Sequence, residues 1–388
     1  MSSKKIVSLK KFRNKKFLKK LFSALRIPVV IIVVIASLFL SARLLGNVAV
    51  SNATDAIRQI GTLFSRGGGY PYSTDVSSFR KATSIGGNPM IVYDDSTVVL
   101  GSTANEIFNM SLGYSDSKVL SRNGRALVFS NSSNEVILQS KTEKLGSISE
   151  EGTVVAAAIA KDGSIATSYA SEEYQSVLSV YNSRFKKIFQ WNCSQERIAD
   201  IALSSNGKKL AVVAVGTENA EIYTRLLVFN VNSSKPLSDT KYSGTLFLKV
   251  VYTSLNKIIA VGDNRTVVVN SRGETVDELV YSEDSIFAVC SDDSGNTVVF
   301  YEEFGGAKTG MVRFSSSGKK TCVETLDLIP ECVAVDGGKI AVYDGNAITI
   351  YSSKGKETDE IETQNYVSSI FFCSGEICGI ENGAVIKY

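Results

Sequence analysis

Apolar and polar residues alternate in short runs over most of this chain. From about residue 72 onward, Val, Ile, Tyr and Phe occupy every second position over roughly four to eight residues. Each run ends in a polar turn such as Asn123-Gly124, Asp162-Gly163, Asn206-Gly207, Ser294-Gly295 or Ser374-Gly375. No apolar period of 3.6 survives after residue 65, and only Pro89, Pro236 and Pro330 interrupt the region. The pattern predicts an all-β body. Asn or Asp before Gly permits the positive φ angles of tight hairpins, so these glycines are explained by backbone geometry.

The runs repeat. Met90–Ile107 (MIVYDDSTVVLGSTANEI) aligns with Ile340–Glu357 (IAVYDGNAITIYSSKGKE) in its apolar positions, its Val-Tyr-Asp and its following turn. Strands entered from such turns begin near Met90, Arg125, Ser164, Lys208, Lys257, Asn296, Lys339 and Glu376, at separations of 35 to 49 residues. That scatter surrounds the roughly 40–45 residues of a four-stranded propeller blade. Eight blades fit best, with seven as the alternative and a pair of β-sandwiches a distant third. The C-terminus supplies three strands of its blade (Val367–Cys373, Glu376–Ile380, Ala384–Tyr388), so the outer strand is expected from around Tyr70–Thr74. A closing blade of this kind ties the two ends together and removes an open edge.

The N-terminal part is different. Ile27–Ala42 (IPVVIIVVIASLFLSA) carries no charge, and Leu44 and Leu45 extend it past Arg43. With Arg26 and Arg43 snorkelling to opposite interfaces, residues 27–46 are long enough for one transmembrane helix. Residues 1–26 hold ten basic residues and no acid, which places this tail in the cytoplasm on the anionic inner leaflet and the body outside. A cleaved signal peptide with a site near Ser51-Asn52-Ala53 is the rival reading. Residues 47–71 read as an extracytoplasmic linker with a short helix and a flexible Gly67-Gly68-Gly69 spacer, and 72–388 as the propeller.

Beyond the tail, 32 basic residues face 39 acidic ones. A mildly acidic body argues against nucleic acid as a partner. The chain contains no histidine, which excludes His-based nucleophile activation, His-ligated zinc and imidazole acid–base chemistry.

The segment IADIALSSNGKKLAVVAV (Ile198–Val215) resembles the first-strand, turn, second-strand segment of WD40-like and quinoprotein-like β-propellers. The overall layout resembles an uncharacterised family of bacterial single-pass membrane-anchored propellers. These resemblances imply fold and location and no particular reaction. Quinone-cofactor dehydrogenases of this fold have tryptophan-docking motifs and adjacent-cysteine rings. This chain has one tryptophan, Trp191, expected to pack between blades, and no adjacent cysteines.

The remaining motifs read as shape. Gly207-Lys208 lacks the rest of a phosphate loop and no helix follows it. SDDSGNTV (Ser291–Val298) matches the box of sialidase-like propellers, itself a turn device. Asp94-Asp95, Asp263-Asn264 and Asp292-Asp293 lack a calcium-loop pattern and read as solvated turn acids. No C-x-x-C occurs among the six cysteines. Cys373 and Cys378 flank one turn, and Cys322 and Cys332 flank a blade crossing. Both are candidate disulfides outside the membrane, with buried free thiols as the equal alternative. No catalytic or metal-binding residue and no cofactor is assigned. The expected function is a non-enzymatic scaffold for a protein or glycan partner. The alternative is a ligand- or cofactor-binding sensor, or a quinoprotein-like enzyme, using the central channel.

Overall fold

The computed structural model describes Asp55, Arg58 and residues 67–388 apart from positions 284, 304, 306 and 307. The basic tail and the predicted span 27–46 lie outside the described residues. Among the described residues no helix is long and apolar enough to cross a membrane. Residues 55–388 form one compact unit.

The described residues form eight four-stranded antiparallel sheets. In chain order these are blades 1 (79–111), 2 (118–149), 3 (154–193), 4 (197–243), 5 (247–280), 6 (286–326) and 7 (332–362). Blade 8 takes three strands from 367–387 and its outer strand from Tyr72–Ser73. The fold is therefore an eight-bladed β-propeller, and the seven-bladed and sandwich alternatives fall away. Second strands begin at Asn88, Arg125, Ile165, Lys209, Lys257, Thr297, Lys339 and Glu376, within two residues of the expected positions. The closing strand also falls within the expected Tyr70–Thr74. Tyr72 pairs with Val385 and Ser73 with Ala384, and the Thr74 N–H donates to Gly383 O at 2.7 Å.

The core consists of seams between blades. Each of the eight buried apolar clusters joins two neighbouring blades, including one that joins blade 8 to blade 1 (Phe371 and Ile380 with Ile91 and Leu100). The middle strands are thus covered on both faces. This is why Arg125–Phe129 and Ser176–Tyr181 are buried throughout and, apart from Arg125, Ser176 and Ser179, are built of apolar and aromatic residues. Outer strands such as Glu357–Glu362 remain largely solvated. Trp191 packs in the seam between blades 3 and 4, 5.0 Å from the Phe229 ring, as expected.

Turn geometry follows the sequence. Asn123 and Gly124 take φ of 52° and 71°, the paired positive angles of a two-residue hairpin. At Gly207, φ is 65°, and an added Cβ would come within 2.5 Å of Ser164 Oγ on the preceding blade. The Gly207-Lys208 turn is therefore held by backbone conformation and by blade spacing.

The glycine spacer is less free than its composition implies. Gly67 N donates to Thr103 Oγ1 at 3.2 Å, and Gly69 N donates to Thr103 O at 3.1 Å. Upstream, Asp55 is buried against blade 2. Its carboxylate takes Arg125 Nη1 at 3.1 Å and Ser140 Oγ at 2.7 Å, and it also accepts from Thr142 Oγ1. Arg58 pairs with Glu143 at 2.6 Å.

Candidate functional site

Antiparallel blades sort their loops by parity. Turns between strands one and two, and between three and four, emerge on one face. Turns between strands two and three, and all blade-to-blade crossings, emerge on the other. The second set contains fourteen acidic residues and no Lys or Arg among the described residues, Glu151, Glu172, Glu173, Glu283, Asp327 and Glu331 among them. The first set contains ten basic residues, including Lys161, Lys208, Arg272, Lys354 and Lys356, against five acidic ones. A body of modest net charge is thus a two-faced object, with an acidic and a basic loop face.

The acidic face carries an apolar arc around the channel mouth. Six inner strands have a register irregularity near their start, at positions 80, 155, 199, 248, 287 and 368. A bulge leaves its extra residue unpaired and turned out of the ladder. In blades 3 to 6 the extra residues are Val155, Ala199, Leu248 and Phe287, all exposed, Leu248 to 58%. Beside this arc, cavities of about 610 and 390 Å³ share the wall Ala170–Tyr174, which carries Glu172 and Glu173.

One residue further along, the same strands turn charges inward. Lys81 of blade 1 and Lys249 of blade 5 line a cavity of about 560 Å³ that runs along the inner strands of blades 1, 2 and 5 to 8. Partial desolvation by the channel wall lowers the pKa of Lys81, whose side chain stays exposed, and the positive charge of Lys249 lowers it further. Asp200 of blade 4 accepts from Val250 N at 2.8 Å. Burial pushes its carboxyl up to about 6, against the backbone hydrogen bond and the pull of Lys249.

Toward the basic face the channel is crossed. Arg122 of blade 2 donates through Nη2 to Tyr252 O at 3.0 Å and Asp293 O at 3.3 Å. Asn123 N donates to Asp293 Oδ2 at 2.9 Å. These bonds link blade 2 to blades 5 and 6 across the ring.

The motif residues take structural places. Asp292 caps its own turn, accepting from Ser294 N and Asn296 N at 2.9 Å and from Asn296 Nδ2 at 2.6 Å. Asp263 Oδ1 accepts from Leu246 N at 3.0 Å, and Asp94 pairs with Arg80. All six cysteines are free thiols. Cys373 and Cys378 touch, and that contact together with burial raises the Cys373 pKa. Cys322 and Cys332 lie in different seams, between blades 6 and 7 and between blades 7 and 8. Sequence reasoning missed the facing lysines, the apolar arc and the charge sorting. Only the last has a plain sequence signal, the alternation of acidic and basic turns along the chain.

Fold and surface define an eight-bladed β-propeller with its loop chemistry divided between two faces, a class that commonly serves as an interaction scaffold. Residues 70–382 match the model of a family of unknown function, DUF5711, and the chain belongs to that family. No curated protein matches it. Among solved structures it is similar to the C-terminal WD40 domain of Sif2 (12% identity, TM-score 0.58, covering 81% of this chain and 97% of that one). It is also similar to Sqt1 of Saccharomyces cerevisiae (10%, 0.56, 82% and 97%) and BamB of Moraxella catarrhalis (11%, 0.51, 81% and 98%). At these identities the likeness concerns the fold.

Proposed function

We propose that this protein is a membrane-anchored, extracytoplasmic interaction module whose acidic loop face docks a basic partner protein. The observation that carries the reading is the charge sorting: among the described residues, the face whose loops hold no Lys or Arg is the face with the exposed apolar arc. Apolar anchors within a polar rim are the anatomy of a protein interface, and a field of one sign selects a partner of the other. The uncharged run 27–42, within segment 27–46 and behind a basic tail, supports the anchor and the orientation.

In-cell cross-linking of the full chain tests this. A partner should be captured through peptides of the acidic face. Capture should be lost in Leu248→Asp and in Glu172→Lys/Glu173→Lys, and kept in Lys354→Glu/Lys356→Glu. Cross-links confined to the basic face would overturn it. Protease added to intact cells should remove the propeller, and protection of the propeller would sink the extracytoplasmic placement.

A further inference from the structure

The chain enters the propeller on the basic face. Asp55 is held by Arg125, Ser140 and Thr142, and Arg58 by Glu143. Ser140, Thr142 and Glu143 belong to the turn between the third and fourth strands of blade 2. Further along, Gly67 N, Gly69 N and the Tyr70 hydroxyl donate to Thr103 and Gly101, in the matching turn of blade 1. Both turns open on the basic face. The charge of that face also has a radial order. Its inner turns, beside the channel, are near neutral: Lys161 and Lys208 stand against Asp162, Asp292 and Asp293. Its outer turns, between strands three and four, hold eight basic residues against two acids, Glu143 and Glu274. Both acids are already engaged, by Arg58 and by Arg272. Arg184, Lys186, Lys235, Lys319, Lys354 and Lys356 are exposed and stand on the outer turns of blades 3, 4, 6 and 7. The basic rim therefore occupies the sector that the incoming chain leaves open. Two exposed leucines share that sector, Leu237 (50%) on the outer turn of blade 4 and Leu255 (59%) on the inner turn of blade 5.

We propose that the basic face lies on the outer surface of the membrane that anchors the chain, and that the outer turns of blades 3 to 7 bind its anionic phospholipid headgroups. The placement rests on the anchor reading above. Segment 27–46 leaves eight residues, 47–54, before Asp55. A stretch of that length reaches at most about 30 Å when fully extended. The blade 2 edge of the basic face is thus kept close to the bilayer. A lysine or arginine gains from an anionic surface only within about a Debye length of it, and a short tether supplies that closeness. The rim on blades 3 to 7 then holds the side of the face away from the tether. Leu237 and Leu255 are placed to dip into the boundary between headgroups and acyl chains. The acidic face carries no Lys or Arg among the described residues, is repelled by the same lipid and is left free for a partner.

The test is hydrogen–deuterium exchange on the full-length protein in lipid nanodiscs. One set is phosphatidylcholine alone and the other an equal mixture of phosphatidylcholine and phosphatidylglycerol. The readout is local because the basic tail, residues 1–26, is itself drawn to anionic lipid. Turns 182–186, 231–237, 315–319 and 353–356 should exchange about threefold slower or more in the mixed discs, and high salt should remove the difference. Turns 170–175 and 327–331, on the acidic face, should exchange alike in both. Lys354→Glu/Lys356→Glu should remove most of the difference at turns 182–186 and 231–237. Both lysines are exposed, so this variant should melt with the wild type, which separates loss of lipid contact from loss of fold. Three results would overturn the proposal: equal exchange in the two discs, protection of the acidic-face turns instead, or undiminished protection in the double variant. Incorporation into the phosphatidylcholine discs tests the anchor by itself. Failure to incorporate would overturn the anchor reading and this placement with it, whereas incorporation with equal exchange would overturn the placement alone.

Discussion

Two neighbouring carboxyl groups in blade 4 and the crossing before it have opposite linkage to pH. Asp200 is raised from 3.8 to about 6, by burial above all. Between those values the folded chain keeps a proton that the unfolded chain has lost, so this group subtracts stability as pH rises from about 4 through 6. Glu196 is lowered from 4.5. Burial opposes the shift, but Arg225 Nη1 at 2.9 Å, the Cys193 thiol and the Tyr223 hydroxyl at 3.1 Å outweigh it. Its contribution is present above that value and is lost as pH falls through the folded pKa. Asp200→Asn keeps an acceptor for Val250 N–H and removes the charge. Thermal melts across pH 4 to 8 should show this variant gaining on wild type from pH 4 to about 6 and then running parallel. Glu196→Gln should lose most at neutral pH and least in acid. Curves parallel to wild type over the whole range would show that neither group titrates as its surroundings dictate.

At the scale of the element, the repeat was legible because one constraint repeats. Every blade needs a tight turn into its second strand; in seven blades Gly, often with Asn, Asp or Ser before it, takes the positive φ demanded there, and in blade 5 Asn256 takes it at 57°. The closing strand was legible because the C-terminus left a blade one strand short. The bulges were not legible, because Leu248-Lys249 reads as ordinary alternation until the extra residue shifts the register. Nor could local pattern show that Arg122 reaches blades 5 and 6, since its partners lie 130 and 171 residues away. The buried Asp55 is a similar long-range feature, in a segment expected to be linker. Asp55 and Arg125 are 5% and 2% exposed at the side chain. Asp55→Ala would leave a buried guanidinium without its carboxylate, a loss of about 3–5 kcal/mol. Chemical denaturation should show a fall of that order. A change below about 1 kcal/mol would mean that Arg125 finds a substitute partner or water.

For the whole molecule, the sorting of charge follows from topology. Loop parity assigns every turn to a face, so a chain that alternates acidic and basic turns builds opposed faces at low net charge. Such a field acts at long range and screens with salt, whereas the apolar arc acts only on contact. The two should therefore separate kinetically once a partner is in hand. Glu172→Lys/Glu173→Lys should slow association about tenfold or more at low salt, with little effect on dissociation, and the difference from wild type should close as salt rises. Leu248→Asp removes a contact made only in the docked complex and should mainly speed dissociation at any salt. If both variants altered dissociation alone, the acids would be local contacts and the facial field would play no part in recognition. If Leu248→Asp were silent, the arc would lie outside the interface and the partner would sit on the outer loops alone.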